Sequence, residues 1–316
     1  MTGPAPSPRR AGPGVQAVPV DRRRLPDGGL AWTRPEPVMG TVVSLDLRTA
    51  TGADPAVKLS TAMSAAVAEL HQADEDFSTF KPDSWVSRLR RGEIRLDDCP
   101  EHVREVYWLA EAARVRTHGF FDPAWRGDGT LDPTGLVKGW VADRASAALT
   151  AAGVSTHGVN AAGDLCVRGW PTPGHPWRVG IADPLRRGRL VAVVVAPDLA
   201  VATSGTAEQG GHVLCPRTGR PAAGVASVTV VGPDLALADA YATAGLAAGP
   251  DALDLLADLA RDGWEWLLVD DAGERRSSAA FRPGPDGFLV AAPDATSTAA
   301  DVRKRVDQRL SVRLDP

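Results

Sequence analysis

The sequence has little of what marks several common classes of protein. Its 316 residues contain three cysteines, Cys99, Cys166 and Cys215, which lie far apart and form no CxxC pair. This spacing argues against a zinc site or a disulfide framework and is typical of a reducing compartment. The cysteines are therefore interpreted as buried packing residues.

Long apolar runs and an excess of positive charge are also missing. No stretch approaches the roughly 20 apolar residues needed to span a bilayer, so we expect no membrane insertion. The formal net charge is -4, and the arginines at the two ends are too scattered to form a basic surface. Nucleic acid is therefore not expected as a partner. The first residues contain arginines but no apolar core, so we predict no signal peptide.

Composition divides the chain into three regions. Residues 1–36 are rich in proline, glycine and arginine and are expected to form a mobile tail or a surface strap. Residues 37–290 are expected to form the functional domain, with regular structure starting at Val38. Residues 291–316 turn polar and are predicted to be a C-terminal tail. Because the segment before Pro37 lacks an apolar core and a cysteine for lipid attachment, we expect a cytoplasmic protein.

Apolar spacing in the central region predicts both strands and helices. Thr41 to Leu47 alternates apolar and polar residues as a half-buried strand does, and Val57 to Phe77 has the three and four spacing of a helix. Further predicted helices cover residues 102–117 and 252–261 and a segment ending near 152, and further strands cover 158–167, 177–182, 190–196, 201–204, 226–231 and 264–269. We find no internal repeat.

The segment from Leu237 to Ala244 sets a carboxylate and a hydroxyl four residues apart in an alanine-rich, helix-forming stretch. Asp239 and Thr243 should therefore lie on the same helix face. Carboxylate and hydroxyl oxygens are suitable ligands for a hard divalent cation such as Mg²⁺. Taken alone, however, the pair favours a surface helix with a solvated Asp239 and an incidental Thr243.

Two loops place polar groups where a ligand could meet them. In the segment from Gly119 to Pro123, Asp122 follows two phenylalanines and could contact a ligand. It is an equally good interpretation that the phenylalanines pack in the core and that Asp122 forms a turn. Asp132, Gly135 and Lys138 surround a loop that opens a helix, an arrangement that can present a helix N-terminus and a cation to an anion. The Walker pattern GxxxxGK[ST] is absent, and a glycine-punctuated loop with a solvent-exposed lysine is the alternative.

The order of the short motifs is more informative than any single one. From Val38 to Val269 the chain carries Met-Gly-Thr, Ser-Thr-Phe-Lys-Pro-Asp-Ser, Gly-Phe-Phe-Asp-Pro, Asp-x-x-Gly-x-x-Lys-Gly, Asn-x-x-Gly-Asp, Thr-Ser-Gly, His-x-x-x-Pro-Arg-Thr-Gly and Ala-Asp-Ala-x-Ala-Thr-Ala. This series resembles the ApbE family, the FAD:protein FMN transferases. The resemblance implies an α+β fold of two interlocked subdomains with FAD in a central cleft. It also implies Mg²⁺-dependent transfer of the FMN part of FAD to a Thr or Ser hydroxyl of an acceptor flavoprotein, with release of AMP.

The resemblance assigns roles motif by motif. It implies FAD contacts from Met39, Phe80, Phe120, Phe121, Asp122, Asp132, Lys138 and His212, and a metal site formed by the Gly135 carbonyl, the Asp239 carboxylate and the Thr243 hydroxyl. Transfer to a hydroxyl of high pKa also needs a proton acceptor, for which Asp239 and His212 are the candidates. A lone histidine such as His212 is, by itself, more often structural than catalytic.

Three positions depart from the family pattern. Phe80 stands where many members have tyrosine, Ala162 replaces a glycine of the usual Gly-Gly-Asp, and Cys215 replaces an aspartate before the proline. None of them removes an implied metal ligand, so a working, divergent enzyme is expected. Two alternatives stay open, namely an FAD pyrophosphatase that gives FMN and AMP, and a non-catalytic flavin-binding protein.

Overall fold

The computed structural model of the chain describes residues 20–49, 56–206, 213–284 and 289–291. Its longer helices are α1 (Ala56–Phe77), α2 (Trp85–Arg90), α3 (Glu101–Arg116), α4 (Thr134–Ala151), α5 (Leu235–Ala248) and α6 (Ala252–Arg261). Its strands are β1 (Asp21–Arg24), β2 (Leu30–Val38), β3 (Thr41–Thr49), β4 (His157–Ala161), β5 (Asp164–Arg168), β6 (Trp177–Ala182), β7 (Leu190–Ala196), β8 (Leu199–Gly205), β9 (Val225–Gly232), β10 (Glu265–Asp270), β11 (Arg275–Ser277), β12 (Phe281–Pro283) and β13 (Leu289–Ala291). The α+β class is confirmed.

The strands form a large sheet and a small one. Within the described residues the large sheet has nine strands in the order β1-β2-β3-β4-β5-β8-β9-β10-β11, and neighbouring strands are antiparallel. The small sheet has the order β12-β13-β7-β6, with β13 parallel to β7. Strand β9 is buried along nearly its whole length because both faces of the large sheet are covered.

Two apolar cores lie on opposite faces of the large sheet. On one face, helices α1, α4 and α5 pack around side chains such as Leu45, Trp140, Val228 and Leu237. On the other face, the small sheet covers a second cluster that includes Val231. Neighbouring residues of β9 and β10 therefore contribute to different cores, as the period of two in a strand requires.

The expectation that regular structure starts at Val38 is wrong, because β1 precedes that residue and β2 ends at it. Strand β1 pairs with β2 only as far as Thr33, which pairs with Asp21. Pro35 and Pro37 follow, at a point where β2 has β3 on one side and no partner from β1 on the other. A proline at a strand edge breaks no ladder hydrogen bond, so two prolines are tolerated there. Residues 1–19 and 292–316 of the predicted tails lie outside the described residues.

The single strand predicted over 158–167 is two strands, β4 and β5, joined by a two-residue turn. Ala161 pairs with Asp164, and between them Ala162 and Gly163 both have a positive φ. Two consecutive residues of this kind make the tight turn that suits the twist of an antiparallel hairpin. Helix α2 was also not predicted; its N-terminus is capped by Ser84, whose Oγ accepts from the Ser87 amide at 3.1 Å.

Among the described residues, no helix combines the length and the apolar character that crossing a bilayer requires. The longest, α1, carries polar residues on one side and is buried on the other. The predicted helix over 57–77 agrees with α1, and the one over 102–117 agrees with α3.

Candidate active site

A cleft of about 600 Å³ lies between the β2–β3 turn, the β4–β5 turn, the start of α4 and helix α5. It is lined by most of the predicted site residues, namely Met39, Phe120, Phe121, Asp122, Asp132, Gly135, Lys138, Asp239 and Thr243. The volume falls within the range of roughly 300–1,000 Å³ that is usual for ligand sites. The fold therefore gathers into one cavity residues that are spread over more than half of the chain.

Two hairpin turns of the large sheet form part of the wall of the cleft. Met39 and Gly40 join β2 to β3, and Ala162 and Gly163 join β4 to β5. Met39 has a φ of 53° and Ala162 a φ of 54°, in the left-handed region that favours glycine. A non-glycine residue in this conformation costs about 1 kcal/mol in backbone strain. Both strained residues line the cleft.

The phenylalanine pair is held against the start of α4. The Phe121 amide donates to Thr117 Oγ1 at 3.0 Å, which fixes the chain as it leaves α3. The ring of Phe121 packs on Gly135, where a Cβ would lie 3.0 Å from its Cε2 atom. The guanidinium of Arg217 stacks on the other ring, with its central carbon 4.6 Å from the centroid of Phe120. Both rings are therefore fixed in place before any ligand binds.

Asp122 stabilises the turn in which it lies. Its Oδ1 accepts from the amide of Ala124 at 2.8 Å, which is the behaviour expected of a turn-forming aspartate. The side chain is nevertheless only partly buried and lines the cleft. The turn-forming role and a ligand contact are therefore compatible at this position.

Asp132 is a buried carboxylate that orders the start of α4. Its Oδ1 accepts from the amide and the hydroxyl of Thr134, at 3.1 and 2.6 Å, and its Oδ2 faces Arg126 at 3.1 Å and pairs with Arg90. Burial tends to raise the pKa of Asp132, but the hydrogen bonds from Thr134 and the charge of Arg90 outweigh it and the pKa is lowered. Asp132 is thus charged and firmly placed at the rim.

Helices α4 and α5 cross at an unusually short distance beside the cleft. A Cβ at Gly139 would lie 2.5 Å from the carbonyl oxygen of Leu235, so only glycine fits between the two backbones. Asp143 of α4 also accepts from the Leu235 amide at 2.8 Å and from the Ala236 amide at 3.2 Å. The Asp143 carboxylate therefore links the N-terminus of α5 to α4 and interacts favourably with the dipole of α5.

Asp239 lies one turn beyond this crossing and is 6% exposed. The backbone of Gly139 lowers the pKa of its carboxyl group, and its Oδ2 atom is buried and has no hydrogen-bond partner among the described residues. Burial raises the pKa of Asp239 to about 7; Lys138 lowers it and the charge of Asp164 raises it further. A buried carboxylate oxygen without a hydrogen-bond partner costs free energy, and a bound cation would offset that cost.

Strand β8 and the β4–β5 hairpin complete the polar wall. Asp164 forms an ion pair with Lys138 and accepts from the Thr203 amide at 2.9 Å. The hydroxyl groups of Ser204 and Thr243 are 3.1 Å apart. Sequence reasoning assigned no role to Asp164 or Ser204, although both stand in recognised motifs, because neither motif indicates which strand pairs with which.

The described residues contain no group of three or more His, Cys, Asp or Glu side chains that could hold a metal ion. The predicted metal ligands are of a different kind, since they combine one carboxylate with a carbonyl and a hydroxyl. Gly135, Asp239 and Thr243 all line the cleft, and one oxygen of Asp239 is buried without a hydrogen-bond partner among the described residues. This oxygen donor set fits Mg²⁺, which usually takes few protein ligands and keeps several waters.

The sequence model of one protein family matches most of this chain. Residues 39–129 and 126–267 match the sequence model of the ApbE family. The chain belongs to the ApbE family.

Two curated relatives of this ApbE chain carry the name FAD:protein FMN transferase. The one from Rhodobacter capsulatus is 37% identical over 172 residues, which are 52% of this chain and 30% of that protein. The one from Vibrio cholerae serotype O1 is 30% identical over 164 residues, which are 48% of this chain and 49% of that protein. The matched stretches span half or less of the length of these relatives.

Solved ApbE structures share the fold. The ApbE protein of Thermotoga maritima matches with a TM-score of 0.68 and 24% identity, over 79% of this chain and 97% of that one. The flavin transferase ApbE of Vibrio cholerae matches with a TM-score of 0.67 and 22% identity, over 83% of this chain and 98% of that one. At these identities the likeness concerns the fold.

One residue predicted from the ApbE motifs is not brought to the cleft, and a second lies outside the described residues. Phe80 is 95% exposed and is not among the lining residues, and its amide donates to Ser78 Oγ at 3.3 Å in a surface turn. His212 lies outside the described residues. The ApbE motif around Phe80 thus orders the entry to α2, where Lys81 pairs with Asp74 and with Glu75 at 2.8 Å.

Proposed function

We propose that this ApbE chain is an FAD:protein FMN transferase, which moves the FMN part of FAD to a Thr or Ser hydroxyl of an acceptor protein and releases AMP. The observation that carries the proposal is the unpartnered, buried oxygen of Asp239 at the wall of a ligand-sized cleft. The names of the curated relatives support it.

The reaction asks for positioning and for neutralisation of charge more than for covalent chemistry by the protein. The acceptor oxygen attacks the phosphorus on the FMN side of the pyrophosphate, and the bond from that phosphorus to the bridging oxygen breaks. AMP leaves with the bridging oxygen, and the proton of the hydroxyl passes to a base. Asp239 and His212 are our candidates for that base, because both belong to motifs expected near the pyrophosphate.

The donor set for the proposed metal is the Gly135 carbonyl, the Asp239 carboxylate and the Thr243 hydroxyl. Bound Mg²⁺ would neutralise negative charge on the phosphate oxygens during transfer. Asp239 contributes the only charge of this set and is buried. Thr243 is oriented by the Ser204 hydroxyl.

The other cleft residues are proposed to hold FAD. Their roles follow from their chemistry: Met39, Phe120 and Phe121 offer apolar surface for a flat ring, Asp122 and Asp132 offer acceptors, and Lys138 offers a positive charge to the phosphates. The Lys138 side chain is 35% exposed and lines the cleft. Phe80 is left out of this set because of its exposure.

The test is incubation of the protein with FAD, Mg²⁺ and a peptide that carries a Thr-containing flavinylation motif. Mass spectrometry should show FMN added to the peptide with one AMP released per peptide modified, and a matched peptide with Thr→Ala should stay unmodified. AMP release that is independent of the peptide would instead indicate an FAD pyrophosphatase. FAD that binds without any AMP release would indicate a flavin-binding protein.

A further inference from the structure

Trp125 is the aromatic residue of the cleft that leaves the most surface uncovered. Three aromatic side chains among the described residues line the cleft, namely Phe120, Phe121 and Trp125. The two phenylalanines are 6% and 5% exposed, so they can border a ligand but offer little surface on which a ring could stack. Trp125 is 44% exposed. A large apolar ring that is open to a ligand-sized cleft is a surface that a bound ligand can cover.

The loop that carries Trp125 is closed by backbone hydrogen bonds. The Asp132 amide donates to the carbonyl oxygen of Pro123 at 2.7 Å, so the two ends of the loop meet. The Trp125 amide donates to the carbonyl oxygen of Asp122 at 3.1 Å. A backbone that is fixed in advance loses less conformational entropy when its side chains bind a ligand.

Arg126 supports the ring of Trp125 from one face. The central carbon of its guanidinium group lies 4.5 Å from the centroid of the Trp125 ring, within the range of a cation–π contact. The same guanidinium group donates to Oδ2 of the buried Asp132 at 3.1 and 3.2 Å. Because Thr134 in turn fixes Asp132, a chain of contacts orients the indole ring at the cleft.

We infer that Trp125 stacks on one of the two flat rings of FAD, the isoalloxazine or the adenine. This inference rests on the proposed function in so far as FAD is the ligand of the cleft. Both rings present the same chemistry, a planar π-surface that gains free energy by stacking on an aromatic side chain. Trp125 therefore contributes affinity for FAD and takes no part in metal binding or in proton transfer.

The test is isothermal titration of FAD into wild type, Trp125→Leu and Trp125→Phe, in a chelator so that no metal-dependent turnover occurs. Leucine is apolar but has no ring, so we expect FAD to bind roughly 5- to 100-fold more weakly, the range usual for loss of a stacking aromatic residue. Phenylalanine keeps a smaller ring, so its loss of affinity should be clearly smaller. Trp170→Leu is the matched control, because Trp170 is similarly exposed but is not among the lining residues, and it should bind FAD as wild type does.

Titration of FMN and of AMP identifies the ring. If Trp125 stacks on the isoalloxazine, Trp125→Leu should weaken FMN binding by the same factor as FAD binding and leave AMP binding unchanged. If Trp125 stacks on the adenine, AMP binding should weaken and FMN binding should stay unchanged. An equal loss for FMN and AMP would indicate that the substitution disturbs the whole loop, and it would overturn the inference.

Unchanged FAD affinity in Trp125→Leu, or equal losses in Trp125→Leu and Trp125→Phe, would overturn it as well. Should Trp125→Leu fail to fold, Trp125→Met takes its place, because methionine is also apolar and has no ring.

Failure of the proposed function gives a different result. Wild type that binds FAD but transfers no FMN to the peptide would refute the transferase and leave the role of Trp125 standing. Wild type that does not bind FAD would refute both.

Discussion

Gly139 of helix α4 packs directly on the carbonyl group of Leu235 in helix α5. A Cβ at position 139 would lie 2.5 Å from that oxygen and 2.8 Å from its carbon, and both atoms belong to the backbone. The backbone of the same glycine also lowers the pKa of Asp239, which lies one helical turn beyond Leu235. The helix crossing and the buried carboxylate are therefore close neighbours.

Gly139→Ala should force the two helices apart. We expect a loss of roughly 1–3 kcal/mol in the free energy of unfolding, because the neighbouring backbone cannot yield cheaply, together with weaker binding of Mn²⁺. Urea unfolding and Mn²⁺ titration measure the two effects. Gly245→Ala in α5 is the matched control: the atoms nearest to its Cβ would be side-chain atoms of Val228 and Leu256, so its cost should be smaller. Equal effects of both substitutions would contradict the importance of the crossing.

Asp239→Asn should reduce AMP release by orders of magnitude, because it keeps the size of the side chain and removes the only charge among the proposed metal ligands. Thr243→Val removes a neutral oxygen at nearly constant volume, so its effect should be smaller and partly rescued by higher Mg²⁺. Turnover measured against Mg²⁺ concentration gives the ordering. Full Mg²⁺-dependent activity in Asp239→Asn would refute the metal assignment.

Metal-free stability should depend on pH through Asp239. Burial raises the pKa of Asp239 to about 7 from its ordinary 3.8, so between these values the folded state binds a proton that the unfolded state has lost. Stability contributed by this group therefore falls as pH rises from about 4 to 7. Above pH 7, metal-free Asp239→Asn should be more stable than wild type by roughly 2–4 kcal/mol.

Urea unfolding in a chelator, at a series of pH values, tests this difference. The two stability curves should approach each other near the lower end of the window, where the carboxyl of the wild type is protonated in both states. Curves that run parallel across the window would show that the ionisation of Asp239 costs nothing in the folded protein. Addition of Mg²⁺ should stabilise wild type and leave Asp239→Asn unchanged.

Asp122→Ala should weaken FAD binding and leave the fold intact, since an aspartate at the edge of a cleft contributes little to the core. Asp122→Asn separates the two roles of this residue, because the amide oxygen can still accept from Ala124 while the charge is lost. Loss of FAD affinity in both variants would indicate a ligand contact that needs the charge. If the FAD dissociation constants of both variants, measured by flavin fluorescence, are unchanged, Asp122 only stabilises its turn.

Ala162→Gly should stabilise the protein by about 0.5–1 kcal/mol, because the residue has a φ of 54° and glycine adopts this conformation without strain. The midpoint of urea unfolding measures the change. Ala161→Gly is the matched control: Ala161 is fully buried in the extended backbone of β4, so the same substitution should destabilise there. A loss of stability in Ala162→Gly would mean that the methyl group makes contacts worth more than the strain.

Helix positions were predictable from the sequence where one face is buried and the other is not. In α1 the buried residues Leu59, Met63 and Leu70 recur at helical spacing, and the predicted and observed bounds agree. Helix α5 lacks such a contrast because alanine is compatible with both surface and core. The interpretation of this segment as a surface helix is wrong: its residues other than Thr243 are buried.

The composition of the cleft was predictable only in part. Motif order named Asp239, Thr243 and Lys138, which the structure brings to one cavity. The partner of Lys138 was not predictable, because Asp164 reaches it through the turn at Ala162 and the pairing of β5 with β8, and strand order is not encoded in local periodicity. Phe80 belongs to one of the motifs, but its side chain faces solvent because the residues around it form a local surface turn.

The burial of α5 has a consequence for how the cleft could be modified. A helix enclosed by α4, β8 and β9 opens only when much of the core opens, so its amide hydrogens should exchange with solvent among the slowest in the molecule. The amides of the turns at Met39 and Ala162 should exchange much faster. Laboratory evolution toward a different ligand should therefore accumulate substitutions in these turns and in the 122–132 loop, while the helix that carries Asp239 stays constant.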